Sequence, residues 1–307
     1  MIGRYNYTPE DCRTSLQRHA RLMEELEVLD GDILCLQEVG VEYQPLLDRE
    51  LEKRGYRGEY CRHVHEGDGQ GDATFFKIDK FDCLQVVRLT FNEMVAEAVE
   101  EAEQDKEVLK KCLKDETFLI LKLKHLQTGK TITIGNIHTI WEHFTQLDVS
   151  ALHIALSLSK LAKYAENNSF IIAGDFNSPP NMAPYLLLTN GYVPDDQKTQ
   201  LMTAPTVSVQ GRSLYELLPD CYSHRTRDLA SSYLVAMGRE PGVTIFNDYD
   251  GHSLLDTCLD YICYTAKTLQ VVSVLDTARP AKLLPDQVFP SDHLSLKSTF
   301  TFKTDSY

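Results

Sequence analysis

Apolar runs of strand length return from one end of this chain to the other, and several neighbours stand too close together for a helix to fit between them. They include 33-ILCLQ-37, 73-ATFFKI-78, 84-LQVVRLTF-91, 118-FLILKLK-124, 131-TITIGNI-137, 169-SFIIA-173, 259-LDYICY-264, 269-LQVVSVL-275 and 294-LSLKSTFTF-302. Alternating or wholly apolar runs of this length are strand signals. Parallel neighbours need a long crossover, so closely spaced runs must pair antiparallel. Helical spacing appears over 13–29 and 146–166, and more weakly over 228–238. Strands outnumber helices. The expected architecture is α/β: mixed sheets with helices packed outside, in a single domain over residues 1–307. No internal repeat and no long Pro/Gly/Ser linker divides it.

A chain of 307 residues with 43% hydrophobic content can bury a substantial core. No apolar run reaches membrane-spanning length, and the start MIGRYNYTPEDCR resembles neither a signal nor a transit peptide. Eight cysteines stand singly, with no CxxC pair, which reads as reduced intracellular thiols and suggests a cytoplasmic protein, with nucleus and mitochondrion as alternatives. The net charge of −14 argues against a broad, nonspecific grip on nucleic acid. Part of that charge is local: residues 93–116 hold nine acids and four bases, as in a solvated helix or mobile insertion. An acidic protein still handles phosphates where a metal ion supplies the positive charge.

The stretch 170-FIIAGDFNSPP-180 ends an apolar strand on a glycine, then presents Asp175 and Asn177 before a double proline. In an extended segment, side chains two apart share a face, so these two are expected to converge on one target while Phe176 packs. A polar turn capping the next helix is the ordinary alternative. Other strand ends carry the same chemistry. Glu38 follows the first run, Asn136 and His138 end 131–137, Asp260 interrupts 259–264, and Asp292-His293 precedes the last strand. In α/β sheets, sites form beyond strand ends, so these groups are expected to share one cleft. Oxygen donors without thiols suit Mg²⁺ or Mn²⁺.

Taken singly, each residue has a plainer explanation. Glu38 can begin a loop, His138 can be a bonded core histidine, and Asp292-His293 can be a turn. Asp260 is harder to dismiss, because a carboxylate in a buried strand is costly unless paired. His293, held in one tautomer by that carboxylate, would account for it. The joint occurrence favours a site over five coincidences.

The motifs 34-LCLQEV-39, 136-NIHTIW-141, 173-AGDFNSPP-180, 259-LDYI-262 and 290-PSDHLSL-296 resemble, in order, those of the endonuclease/exonuclease/phosphatase superfamily. Within it, NIHTIW, 189-TNGYVPDD-196, 228-DLASSY-233 and 240-EPGVTIFN-247 are most similar to the branch of carbon catabolite repressor-type deadenylases, nocturnin, Angel proteins and 2',5'-phosphodiesterase. The resemblance implies a four-layer αββα sandwich with Mg²⁺ in the cleft between two sheets, and phosphoester hydrolysis by in-line attack of water. It implies that Glu38 binds the metal, with Asp292 as a second carboxylate near it. Asp175 would lie at the metal and position or deprotonate the water. Asn177 and His138 would hold phosphoryl oxygens, and His293, oriented by Asp260, would stabilise the charged transition state. Asn247 falls where the branch contacts the nucleotide, and Trp141 is either a base-stacking platform or core.

Two departures stand out. The family begins with a strand of SYN-x-L type whose Asn sits at the metal, and no such strand precedes residue 5. Asn6 matches the following loop instead, so an N-terminally truncated catalytic domain with an exposed sheet edge is expected. The proline usual after NIHTIW is replaced near His143. No leucine-rich repeat is present to recruit a deadenylation complex. The leading expectation is a 3'-to-5' exoribonuclease on poly(A)-type RNA. The alternatives are a 2',5'-phosphodiesterase, a 2'-phosphatase or cyclic phosphatase using the same site, and an impaired RNA- or protein-binding module.

Overall fold

The computed structural model describes residues 7–63, 69–101, 114–141, 146–203, 208–209, 212–226, 228–248 and 254–304. Asn6, His143 and most of the acidic segment after residue 101 lie outside them.

Helix α1 (Ser15–Leu29) opens on a capping box, with Gln17 N donating to Thr14 Oγ1 at 3.3 Å and Thr14 N to Gln17 Oε1 at 3.1 Å. After it come β1 (Ile33–Gly40), α2 (Gln44–Glu52), β2 (Tyr56–Arg62) and β3 (Gln70–Lys77), and the strands form an antiparallel sheet in the order β1-β3-β2. The second sheet takes up β4 (Phe81–Thr90), β5 (Thr117–His125), β6 (Thr131–His138) and β7 (Ser169–Asp175). Helix α3 (Phe91–Glu101) follows β4, and α4 (Leu147–Ala165) carries the chain from β6 to a parallel β7. Later elements are α5 (Ala183–Asn190), α6 (Lys198–Met202), the short β8 (Ser208–Val209) and β9 (Arg212–Ser213), and α7 (Leu214–Leu217). Then come β10 (Leu229–Ser231), α8 (Ser232–Met237), β11 (Ile245–Asp248), β12 (Leu254–Thr257), β13 (Asp260–Thr265), β14 (Leu269–Val274) and β15 (Ser298–Phe302). The six-stranded sheet runs β10-β13-β7-β6-β5-β4.

Strand β5 shows why the runs read as continuously apolar. Phe118 and Ile120 face α4 and pack with Leu158, Leu161 and Ile172. Leu119, Leu121 and Leu123 face the other way, into a layer with Phe76, Ile132 and Ile134 between the sheets. A strand buried on both faces has no polar side, and each fully buried Leu or Phe contributes about 1.5–3 kcal/mol. A third apolar layer, with Met23, Leu47 and Leu51 against Leu34 and Phe75, seats α1 and α2 on the outer face of the first sheet. The layers are therefore helix, sheet, sheet, helix.

Three sequence expectations shift in detail. Residues 228–238 divide into β10 and α8, because Ser231 Oγ caps the helix by accepting from Leu234 N while its strand pairs with β13. The last run enters its strand only at Ser298, since residues 290–297 are drawn into the cleft. Gly40 rather than Gln37 ends β1, and its pairing with β3 shifts register between Leu36 and Val39. Among the described strands β1 pairs only with β3, and β15 only with β14. A cavity of about 850 Å³ lies between them and reaches Glu38, Asp260, Asp292 and His293.

Candidate active site

The register of three strands builds the centre of the site. His138 at the end of β6 stands opposite Asp175 at the end of β7, and Asp175 stands opposite Asp260 at the start of β13. Three polar side chains are thus set in a row across the sheet by backbone pairing alone. Gly174 permits it: a Cβ there would lie 1.9 Å from the Ile137 carbonyl oxygen, and its φ of 144° is open to glycine but not to other residues.

Asp175 is buried, and its Oδ2 lies 3.8 Å from His138 Nε2 and 3.8 Å from His293 Nε2. Burial and then the Asp260 charge push its carboxyl upward, while the two histidines pull the other way. His293 Nδ1 stands 2.8 Å from Asp260 Oδ2. Burial alone would lower the His293 pKa, but the Asp260 charge and hydrogen bond outweigh it, helped by Asp175 and Asp292. These neighbours favour the protonated ring, whose Nε2 lies 3.8 Å from Asp175 Oδ2.

Asn177 reaches the site by a different route from the extended one expected. Its φ is 45°, and its backbone N–H donates to Asp175 Oδ1 at 2.7 Å. The segment is a turn closed by the aspartate, and Asn177 Nδ2 donates to Thr139 O at 2.9 Å. Phe176 is fully buried. Glu38 sits in the irregular part of β1 with φ 53°, so the bulge re-aims it away from the β3 ladder. It lines the same cavity as Asp260, Asp292 and His293. Asp292 Oδ2 accepts from Asn247 Nδ2 at 2.9 Å, and Phe246 N donates to Asp292 O at 3.3 Å, which fixes the loop before β15. Trp141 is 62% exposed and is not part of the core.

One support escaped the sequence. Gln37 Nε2 donates to Asn136 Oδ1 at 2.6 Å, and the buried Asn136 donates through Nδ2 to Ala73 O at 3.0 Å, so a part-buried amide pair ties the two sheets together. The QE and NIH motifs contained both residues, but only the packing of the sheets shows that they meet.

The donor set fits a hard divalent cation. Glu38, Asp175, Asp260 and Asp292 are carboxylates, and Asn247 Oδ1 is buried with no hydrogen-bond partner among the described residues. Carboxylates beside an unsatisfied amide oxygen suit Mg²⁺ or Mn²⁺. Asp175, Asp260 and His293 also bring one donor atom each within 4.8 Å of one another.

This fold and this site define a class. Residues 12–293 match the model of the Endonuclease/Exonuclease/phosphatase family, and the chain belongs to that family. It is 28% identical over 97% of its length to the CCR4-Not complex 3'-5'-exoribonuclease subunit Ccr4 of Mycosarcoma maydis, covering 48% of that protein. It is 29% identical over 96% of its length to Carbon catabolite repressor protein 4 homolog 1 of Arabidopsis thaliana, covering 54% of it. The chain thus spans about half the length of these relatives. Among solved structures it is similar to ANGEL2, a 2',3'-cyclic phosphatase, with a TM-score of 0.74, 22% identity, and 96% and 89% of the two chains covered. It is also similar to the human Nocturnin catalytic domain, with a TM-score of 0.60, 22% identity, and 94% and 87% covered.

Proposed function

We propose that this chain is a catalytic domain that hydrolyses phosphodiesters with Mg²⁺ or Mn²⁺, acting as a 3'-to-5' exoribonuclease on poly(A)-type RNA. The observation that carries the reading is the row His138, Asp175, Asp260 with His293 hydrogen-bonded to Asp260. Similarity to the Ccr4 exoribonuclease subunits supports the choice of RNA. Glu38, Asp292 and Asp175 would hold the cation, with Asn247 Oδ1 beside them. When bound, the cation supplies positive charge to the phosphate and to the oxygens entering and leaving phosphorus.

The chain's own groups do the rest. Asp175, whose carboxyl is pushed up by burial, is suited to orient a water and take its proton. His138 Nε2 and the Asn177 amide, which keeps one N–H beyond its bond to Thr139 O, would hold the phosphoryl oxygens. His293 places a fixed positive charge where negative charge grows, and Asp260 holds its ring. Trp141, exposed three residues beyond His138, offers an aromatic face to a base.

The test presents labelled A-rich RNA, 2',5'-oligoadenylate, a 2',3'-cyclic phosphate and NADP in Mg²⁺. Stepwise shortening of the RNA from its 3' end is expected. Turnover of another member of the panel alone would move the substrate assignment while leaving the metal chemistry in place. No turnover of any member would favour a binding module.

A further inference from the structure

His138 has a second face. Its Nε2 looks towards Asp175, but its Nδ1 is buried on the opposite side with no hydrogen-bond partner among the described residues. Three other orphaned atoms belong to residues around it: His63 Nε2, Asp72 Oδ1 and Glu116 Oε2. His63 follows β2, Asp72 lies in β3, and Glu116 precedes β5. His63, Asp72 and His138 are all nine-tenths or more buried, and one donor atom of each lies within 4.8 Å of the others. His63 Nε2 is 3.6 Å from Asp72 Oδ2, too far for a hydrogen bond, while Thr117 Oγ1 donates to that oxygen at 3.2 Å. The charges of His63 and His138 both act on the Glu116 carboxyl, which burial pushes upward.

We propose that His63, Asp72 and His138 form a buried binding site for a divalent transition-metal ion of the zinc class, with Glu116 beside it. Two imidazoles and a carboxylate are a donor set for such ions, and poor for Mg²⁺. Ligands about 2.1 Å from one tetrahedral ion stand roughly 3.4 Å apart, so donor atoms within 4.8 Å of one another close by about 1.4 Å at most per pair. A trapped water would also meet these atoms but adds no charge beside Asp72 and Glu116, where the described partners are the His63 ring, 3.6 Å from Asp72, and the charge of Lys114 on Glu116. The ion neutralises the two carboxylates, and Thr117 orients Asp72 from outside.

The site acts through His138. An ion on Nδ1 leaves the proton on Nε2, so the ring donates into the cleft beside Asp175. His63 and Asp72 are then positioning residues, and this consequence for turnover rests on the phosphodiesterase reading. The ion itself does not.

The experiment loads the full chain with Zn²⁺, dialyses it against excess Mg²⁺ and measures metal by mass spectrometry, with no RNA present. Wild type and Glu38→Gln should each retain one zinc. His63→Asn and Asp72→Asn, shown to be folded by circular dichroism, should bind it at least about 10-fold more weakly. Co²⁺ in wild type should give the visible bands of an ion with nitrogen donors, absent from His63→Asn. Should the variants not fold, the cobalt spectrum of wild type decides alone. Loss of zinc from wild type on dialysis, equal retention in all four proteins, or a cobalt spectrum of hydrated ion would overturn the proposal.

Discussion

Asp260 is the residue whose cost is hardest to explain without function. A carboxylate at the start of a buried strand is stabilised by the His293 ring 2.8 Å away. Replacing it by Asn removes the charge that keeps the ring protonated while leaving its shape. Asp260→Asn is expected to lower kcat by about 10²-fold or more, with RNA affinity nearly unchanged. Parallel measurement of kcat and Kd checks this, and an equal loss in both would assign Asp260 to binding. Gly174 makes a second residue-scale case. Gly174→Ala puts a methyl carbon 1.9 Å from the Ile137 carbonyl, so β6 and β7 must separate. A loss of roughly 1–3 kcal/mol or more is expected from chemical denaturation. These residues were legible because each breaks an apolar run with a polar group or a glycine. His63, Asp72 and Glu116 gave no such signal. They come from three separate parts of the chain, and only pairing across the sheets buries them together.

At the scale of elements, the long runs were readable and the short connections were not. β5, β6 and β7 appear where the apolar periodicity put them, because burial on both faces leaves no other pattern. α2 and β2, over 44-QPLLDRELE-52 and 56-YRGEYCR-62, carry too many charges to stand out, yet they pack through Leu47, Leu51 and Tyr56. The apolar alternation predicts strand from residue 294, but residues 291–297 line the cleft instead, and a bridge between Ile245 and His293 holds them there. Helix α4 carries its own titration. Asp148 in its first turn is fully buried, and burial pushes its carboxyl up to about 6 against backbone hydrogen bonds that oppose the shift. The folded state therefore holds this proton more tightly than the unfolded chain. That part of the stability is complete below the ordinary carboxylate pKa of 3.8 and is lost as pH rises through about 6. Asp148→Asn should remove a pH-dependent change on the order of 2–3 kcal/mol between about pH 4 and 7. Melting curves across that range test it, and parallel curves for the two proteins would contradict it.

Taken whole, the molecule sets two sheets face to face and brings Glu38, Asp260 and Asp292 to one cavity. A net charge of −14 with carboxylates lining the cleft repels a phosphate chain unless a cation intervenes. No helix among the described residues is long and apolar enough to cross a membrane. The family was legible from motifs spread over nearly the whole chain, because each marks a strand end in the cleft. The substrate was not, since the same carboxylates and histidines serve any phosphoester whatever its leaving group. The central claim is that cation-assisted attack at Asp175 cleaves RNA, and one assay tests it directly. A 5'-labelled A-rich RNA is incubated with the protein in Mg²⁺, in EDTA, and in EDTA with Mg²⁺ restored, alongside Asp175→Asn. The account predicts a ladder of shortening products in Mg²⁺, none in EDTA, recovery on restoring Mg²⁺, and at least about 10²-fold slower loss with the variant. Undiminished cleavage in EDTA, or full activity in Asp175→Asn, would contradict it.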